Sequence, residues 1–149
     1  MSILFDDLFS CTELNPDGKK FELVNRICCK GLTFDTDLIL DINSEIYKVA
    51  ADDKVTFVLA STLDLSGAPD DGTYKPLDAG QTLADRYEYV MHGRVFGYEH
   101  VGEGRVQVSA SFGGLLMRLS GDQRHLAAIP PDSRVYCLLR GVGQDERGR

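Results

Sequence analysis

Three pairs of adjacent carboxylates, Asp6-Asp7, Asp52-Asp53 and Asp70-Asp71, are the first residues of this chain that could do chemistry. Two carboxyl groups in different surroundings can divide general-acid and general-base work between them. The spacing works against that use. Neighbours on a strand point to opposite faces, and the second and third pairs lie beside turn signals, where Asp side chains hydrogen-bond their own backbone. Asp6-Asp7, set between Leu4-Phe5 and Leu8-Phe9, predicts a bulged strand or a docking surface instead. The histidines His92, His100 and His125 fall on a predicted strand, turn and loop, without the spacing of metal ligands.

Cys11, Cys28, Cys29 and Cys137 could form two disulfides, but the chain is too long to need such staples, and free buried thiols are expected. The vicinal Cys28-Cys29 would face opposite sides of a strand, which is wrong for a zinc site. There is no P-loop, G-x-G-x-x-G, G-x-S-x-G or H-E-x-x-H, so phosphate-binding, dinucleotide, acyl-transfer and zinc-hydrolase chemistry have no motif behind them. No cofactor is implied. Tyr87 and Tyr89, predicted on one face, could with Phe96 stack single-stranded bases. The charge balance opposes that reading. Sixteen basic and 23 acidic residues leave a net charge of -7, the wrong sign for binding through phosphates. The charge is uneven, however. Residues 105–149 carry seven basic and four acidic groups, net +3, and every basic one is Arg, the type favoured at protein interfaces.

The elements that must position these groups read as strands. Period-2 apolar patterning recurs in short blocks with no sustained helical period. Ile3 to Leu14 predicts a first strand, closed by the turn Asn15-Pro16-Asp17-Gly18, with Lys19 to Cys29 returning antiparallel. Asp37 to Asn43 follows, with Leu38, Leu40 and Ile42 on one face, and the pattern resumes in Ile46 to Val49. Val55 to Thr62 is the next strand. Residues 63–86, punctuated by glycines and prolines, predict a long surface loop with an acidic tip at Asp70-Asp71. Strands are then expected at Tyr87 to Phe96, at Val106 to Phe112 after a turn between Gly97 and Gly104, and at Ser133 to Arg140. A short helical turn is expected at Gln123 to Ile129, and a loose tail from Gly141 to Arg149. Many short strands in one 149-residue domain point to an all-β, closed or nearly closed antiparallel barrel. The acidic start of the chain lacks a basic leader, and no apolar run approaches the roughly 20 residues that span a bilayer, so an intracellular protein with no membrane partner is expected.

One segment conflicts with its surroundings. Phe112-Gly113-Gly114-Leu115-Leu116-Met117-Arg118 reads as a strand too apolar to have a wet face, with glycines where another backbone would pass closely. We therefore take Phe112 to Arg118, together with Asp6 and Asp7, as the candidate protein interface.

Several strings occur in a telling order: Leu4-Phe5-Asp6-Asp7, Asp17-Gly18-Lys19-Lys20-Phe21, Asp37-Leu38-Ile39-Leu40-Asp41, Ala60-Ser61-Thr62-Leu63, Tyr87-Glu88-Tyr89-Val90-Met91, Gly113-Gly114-Leu115-Leu116-Met117-Arg118-Leu119 and Asp132-Ser133-Arg134-Val135-Tyr136. With them the chain resembles, from about residue 3 to 140, the small common subunit, eighth in the usual listing, shared by eukaryotic nuclear RNA polymerases I, II and III. The resemblance implies an OB-type barrel of about eight strands. It also implies a non-catalytic, nuclear assembly subunit that docks on the largest polymerase subunit and does not work as a homo-oligomer, while the acidic balance argues against direct nucleic-acid contact. A free-standing single-stranded nucleic-acid-binding module is the other reading.

Overall fold

A computed structural model of the chain describes residues 3–19, 21–64 and 82–142. Eight antiparallel strands form a closed barrel: β1 (Ile3–Leu14), β2 (Val24–Gly31), β3 (Asp37–Asn43), β4 (Lys54–Ala60), β5 (Tyr89–Gly102), β6 (Arg105–Phe112), β7 (Leu115–Asp122) and β8 (Arg134–Val142). Around the ring they run β1-β2-β3-β7-β6-β5-β8-β4, and β4 closes onto β1. Closure removes the open sheet edges that would otherwise template aggregation.

The alternation in the sequence decides which face goes in. In β6, Val106, Val108, Ala110 and Phe112 point inward and the residues between them outward. Leu38, Leu40 and Ile42 of β3 do the same, as do Phe5, Phe9 and Cys11 of β1. Phe5, Phe9 and Phe57 are the aromatic heart of this core, with Phe9 and Phe57 edge-to-face at 5.5 Å between ring centroids. The outward side is also covered in one sector, where Val58, Ala60 and Leu138 pack with Leu83. Leu83 belongs to a 3₁₀ turn, Leu83–Arg86, and its N–H donates to the Leu63 carbonyl at 2.7 Å. The described ends of the 63–86 loop thus form an apolar patch on β4 and β8, while its acidic tip at Asp70-Asp71 lies outside the described residues. No described helix is long and apolar enough to cross a membrane. The only α-helical turn among the described residues, α1 (Gln123–Leu126), puts Leu126 into the core.

Six expectations about elements need correction. Gly113-Gly114 is not inside a strand: both residues have positive φ, +66° and +102°, and they form the two-residue turn of the β6–β7 hairpin, in which Phe112 pairs with Leu115. Nothing lies near the position of a Cβ on either glycine, so they serve backbone conformation and not close approach. Conversely, the predicted turn between Gly97 and Gly104 is mostly strand. β5 runs on to Gly102 through bulges at Val95/Gly97 and His100/Gly102, and only Glu103-Gly104 turn. β2 begins at Val24 and not at Lys19, and Ile46 to Val49 is no strand, since the N–H groups of Ile46 and Tyr47 turn back to the Asn43 carbonyl. β5 begins at Tyr89, not Tyr87. Finally, Gly141 and Val142, expected to open a loose tail, pair with Val55 and Lys54 as the end of β8, and the rest of that tail lies outside the described residues.

A glycine that does permit close approach is Gly93, opposite β8 and beside β6. A Cβ there would strike the Ser111 carbonyl oxygen and come within 2.8 Å of Phe112 Cα. Gly93→Ala is therefore expected to cost about 2 kcal/mol through overpacking against backbone. Gly114→Ala, strained only by its φ, should cost about 1 kcal/mol. Urea unfolding of the two variants checks this order, and a costlier Gly114→Ala would contradict the assignment of roles.

Candidate protein interface

The β6–β7 hairpin divides the candidate string between core and surface. Phe112 and Met117 point into the barrel, Met117 being only 2% exposed, and Leu115 is half-buried. Leu116 turns outward at 43% exposure, and Arg118 is exposed beside it. The three consecutive apolar residues are thus resolved as in, out, in, and only Gly113, Gly114, Leu116 and Arg118 can meet a partner without unfolding the barrel.

Asp41 holds this hairpin in place. The β3–β7 ladder has just four rungs, from Asp37 opposite Ser120 to Leu40 opposite Met117. Beyond it the strands part. The Asp41 carboxylate fills the missing rung by accepting the Leu116 N–H on Oδ2 at 3.0 Å. From the neighbouring strand Arg26 donates to it through two nitrogens, Nε to Oδ1 at 2.7 Å and Nη2 to Oδ2 at 3.1 Å. The fork geometry of the guanidinium suits a carboxylate held on both oxygens, and the pair raises the Arg26 pKa further, chiefly through the hydrogen bond. An Asp within Leu38-Ile39-Leu40-Asp41-Ile42 sits at an outward position of the alternation. Its partners became visible only once the register of three strands was known.

Outside the hairpin the strands present a continuous row: Cys28 of β2, Ile39 of β3, Arg118 of β7, Ser109 of β6 and Gly97 of β5 are successive register partners. Cys28, Ile39, Ser109 and Arg118 of this row line a recess of about 230 Å³ together with Phe96, Leu116, Arg26 and Asp17. Phe96, the unpaired residue of the first β5 bulge, is 58% exposed. The sequence singled out Phe96 only as a stacking aromatic. Its exposure here depends on the bulge.

The other candidate residues lie elsewhere. Asp6 is exposed on β1, which is separated from β7 by β2 and β3. Asp7 is 7% exposed, and its carboxylate accepts N–H groups from Leu8 at 2.7 Å and Phe34 at 3.1 Å, with Thr33 at 3.2 Å. It anchors the connection between β2 and β3, and so does not share the surface of Leu116. Asp53 caps its own turn, Oδ2 accepting the Ala50 N–H at 2.9 Å. Tyr87 and Tyr89 do not make a platform. Tyr89 is buried, stacks on Tyr47 at 5.2 Å and uses its hydroxyl oxygen to accept the Asn43 N–H, whereas Tyr87 packs in the outer cluster. The histidines stay apart, against Tyr136, Tyr98 and Phe34 respectively. Among the described residues no three His, Cys, Asp or Glu side chains are grouped as a metal site requires. All four cysteines are free, with Cys29 in the core and Cys28 facing the other way. Burial holds the Cys137 thiol well above its usual pKa.

Residues 6–141 match the family described as RNA polymerase Rpb8. The chain belongs to the Rpb8 family. The matched range opens within β1 and closes within β8, so the Rpb8 match takes in part or all of every strand of the barrel. A Dictyostelium discoideum protein named DNA-directed RNA polymerases I, II, and III subunit rpabc3 is 44% identical over 144 residues, 93% of this chain and 97% of its own. From Arabidopsis thaliana, the protein named DNA-directed RNA polymerases II, IV and V subunit 8B is 42% identical over 140 residues, 93% of this chain and 95% of its own. The Saccharomyces cerevisiae protein named DNA-directed RNA polymerases I, II, and III subunit RPABC3 is 40% identical over 144 residues, 92% of this chain and 97% of its own. In this Rpb8 chain, then, the barrel is the unit to be explained.

Proposed function

We propose that this chain is a non-catalytic assembly subunit of DNA-directed RNA polymerases I, II and III, working in the nucleus and docking on the largest subunit. The observation that carries this reading is the end-to-end match to relatives named as polymerase subunits, at 40% to 44% identity over nearly the full length of both chains. The described site agrees with it chemically. It offers an apolar and arginine-bearing surface, the composition enriched at protein interfaces. The docking residues are Gly113, Gly114, Leu116 and Arg118 on the hairpin, with Phe112, Leu115 and Met117 supporting them from beneath. Asp6 is a separate contact point on β1, and Asp7 supports that face by holding the β2–β3 connection against β1. A tagged copy expressed in its own cells should recover the largest polymerase subunit, and Leu116→Asp should reduce that recovery about tenfold, since a buried interface would then hold an unpaired charge. Recovery of no polymerase subunit by the unmodified chain would sink the reading.

A further inference from the structure

The outer face beside the recess carries cations that nothing in the described barrel neutralises. Seven arginines lie on strands or on α1. Four have partners: Arg26 holds Asp41, Arg105 reaches Asp35 and Asp37, Arg124 pairs with Asp122, and Arg140 lies over the Tyr87 ring while donating to the Arg86 carbonyl. The other three, Arg94, Arg118 and Arg134, are exposed and have no acidic partner among the described residues.

The topology groups these three. Arg94 and Arg134 are direct register partners at the end of the β5–β8 ladder. Their strand neighbours Val95 and Val135 are buried, so both arginines point outward. Arg94 is next in register to Ser111, which pairs with Leu116, and Arg118 is two residues along the same strand. Like charges set directly opposite on a sheet repel and lower stability. In a chain of net charge -7, three unopposed arginines around exposed Phe96 and Leu116 are a local reversal of sign.

Resting on the subunit reading above, we propose that this face binds an acidic, extended segment of another polymerase subunit. Aspartates or glutamates of that segment meet Arg94, Arg118 and Arg134, and an apolar side chain enters the recess between Phe96 and Leu116. Bidentate carboxylate contacts suit arginine, and the wide spread of the three charges suits an extended chain better than a single anion. Nucleic acid is the less favoured occupant. The lining of the recess holds no lysine, and Tyr89, buried against Tyr47, and Tyr87, packed in the outer cluster, offer bases no stacking platform beside it.

The test places a photo-crosslinking phenylalanine analogue at Leu116 in the tagged full-length chain, expressed in its own cells, and sequences the crosslinked peptides. The expected product is a polymerase-subunit peptide rich in Asp and Glu. In parallel, the triple variant Arg94→Glu, Arg118→Glu, Arg134→Glu should recover at least about tenfold less of the large subunits, and the neutral Arg→Gln triple should lie between. Thermal unfolding followed by circular dichroism should show both triples as folded as the parent, since all three side chains are exposed. If the charge-reversed triple unfolds, the neutral triple and the crosslink decide. A crosslinked peptide without acidic excess, a crosslink to nucleic acid, or undiminished recovery by the triples would overturn the proposal. So would binding of a fifteen-nucleotide oligothymidylate at low salt that depends on the three arginines. Failure of the unmodified chain to recover any polymerase subunit would count against the subunit reading instead.

Discussion

Asp41→Ala should lower the stability of the free chain by about 3 kcal/mol, a cost out of proportion to the size of the deleted group. The deletion orphans the Leu116 N–H and releases the two nitrogens of Arg26 that now grip the carboxylate. Arg26 is partly solvated, with its side chain 39% exposed, so water recovers some of its loss and the effect stays below that of a fully buried pair. The Leu116 amide has no backbone acceptor to fall back on, because β3 has already parted from β7 there. Urea unfolding followed by circular dichroism measures the total, the chain having no tryptophan to report by fluorescence. Hydrogen exchange localises it, with protection lost first at Leu116. The double variant Arg26→Ala, Asp41→Ala should cost less than the sum of the single changes. A cost under about 0.5 kcal/mol for Asp41→Ala, the range of ordinary surface changes, would refute the view of Asp41 as the missing rung.

A larger loss, about 4 kcal/mol, is expected for Phe57→Ala. Phe57 is fully buried and stands edge-to-face with Phe9 at 5.5 Å, and near Phe5 at 6.2 Å. Removing the ring forfeits its transfer free energy and leaves a cavity walled by two other rings, which cannot collapse without moving β1. Phe96→Ala is the matched control: it deletes the same ring from an exposed position and should change stability by less than about 0.5 kcal/mol. Equal losses for the two phenylalanines would mean that the aromatic heart of the barrel is wrongly placed.

How much of this was legible from the residues differs from element to element. The inward faces of β3 and β6 followed directly from alternation, because each strand is covered on one side and wet on the other. β4 and β8 are apolar on both faces for a reason alternation cannot show: the 3₁₀ turn at Leu83 returns to cover them. Gly113-Gly114 was misread because a two-residue hairpin turn and a glycine pair within a strand have the same local composition. The deciding quantity is the pairing of Phe112 with Leu115. Asp6 and Asp7 were rightly separated by face, yet the role of Asp7 as an acceptor for the N–H groups of the β2–β3 connection depends on a contact 26 to 27 residues away in the chain. The surface formed by Phe96, Leu116 and Arg118 needed a bulge, a turn and a register, three facts that no single stretch of sequence contains.

The short β3–β7 ladder has a temporal meaning as well. Its closing contact joins residues 75 positions apart, so it carries a larger loop-closure penalty than any hairpin of the barrel and is expected to form after them. Cys28 and Ile39 stand on one side of that seam, Arg118 and Ser109 on the other. A chain that has made all its local hairpins but not the seam presents two half-surfaces and no recess. Docking through this face would therefore admit only finished barrels, and the surface would work as an inspection step that keeps unripe copies out of a large assembly.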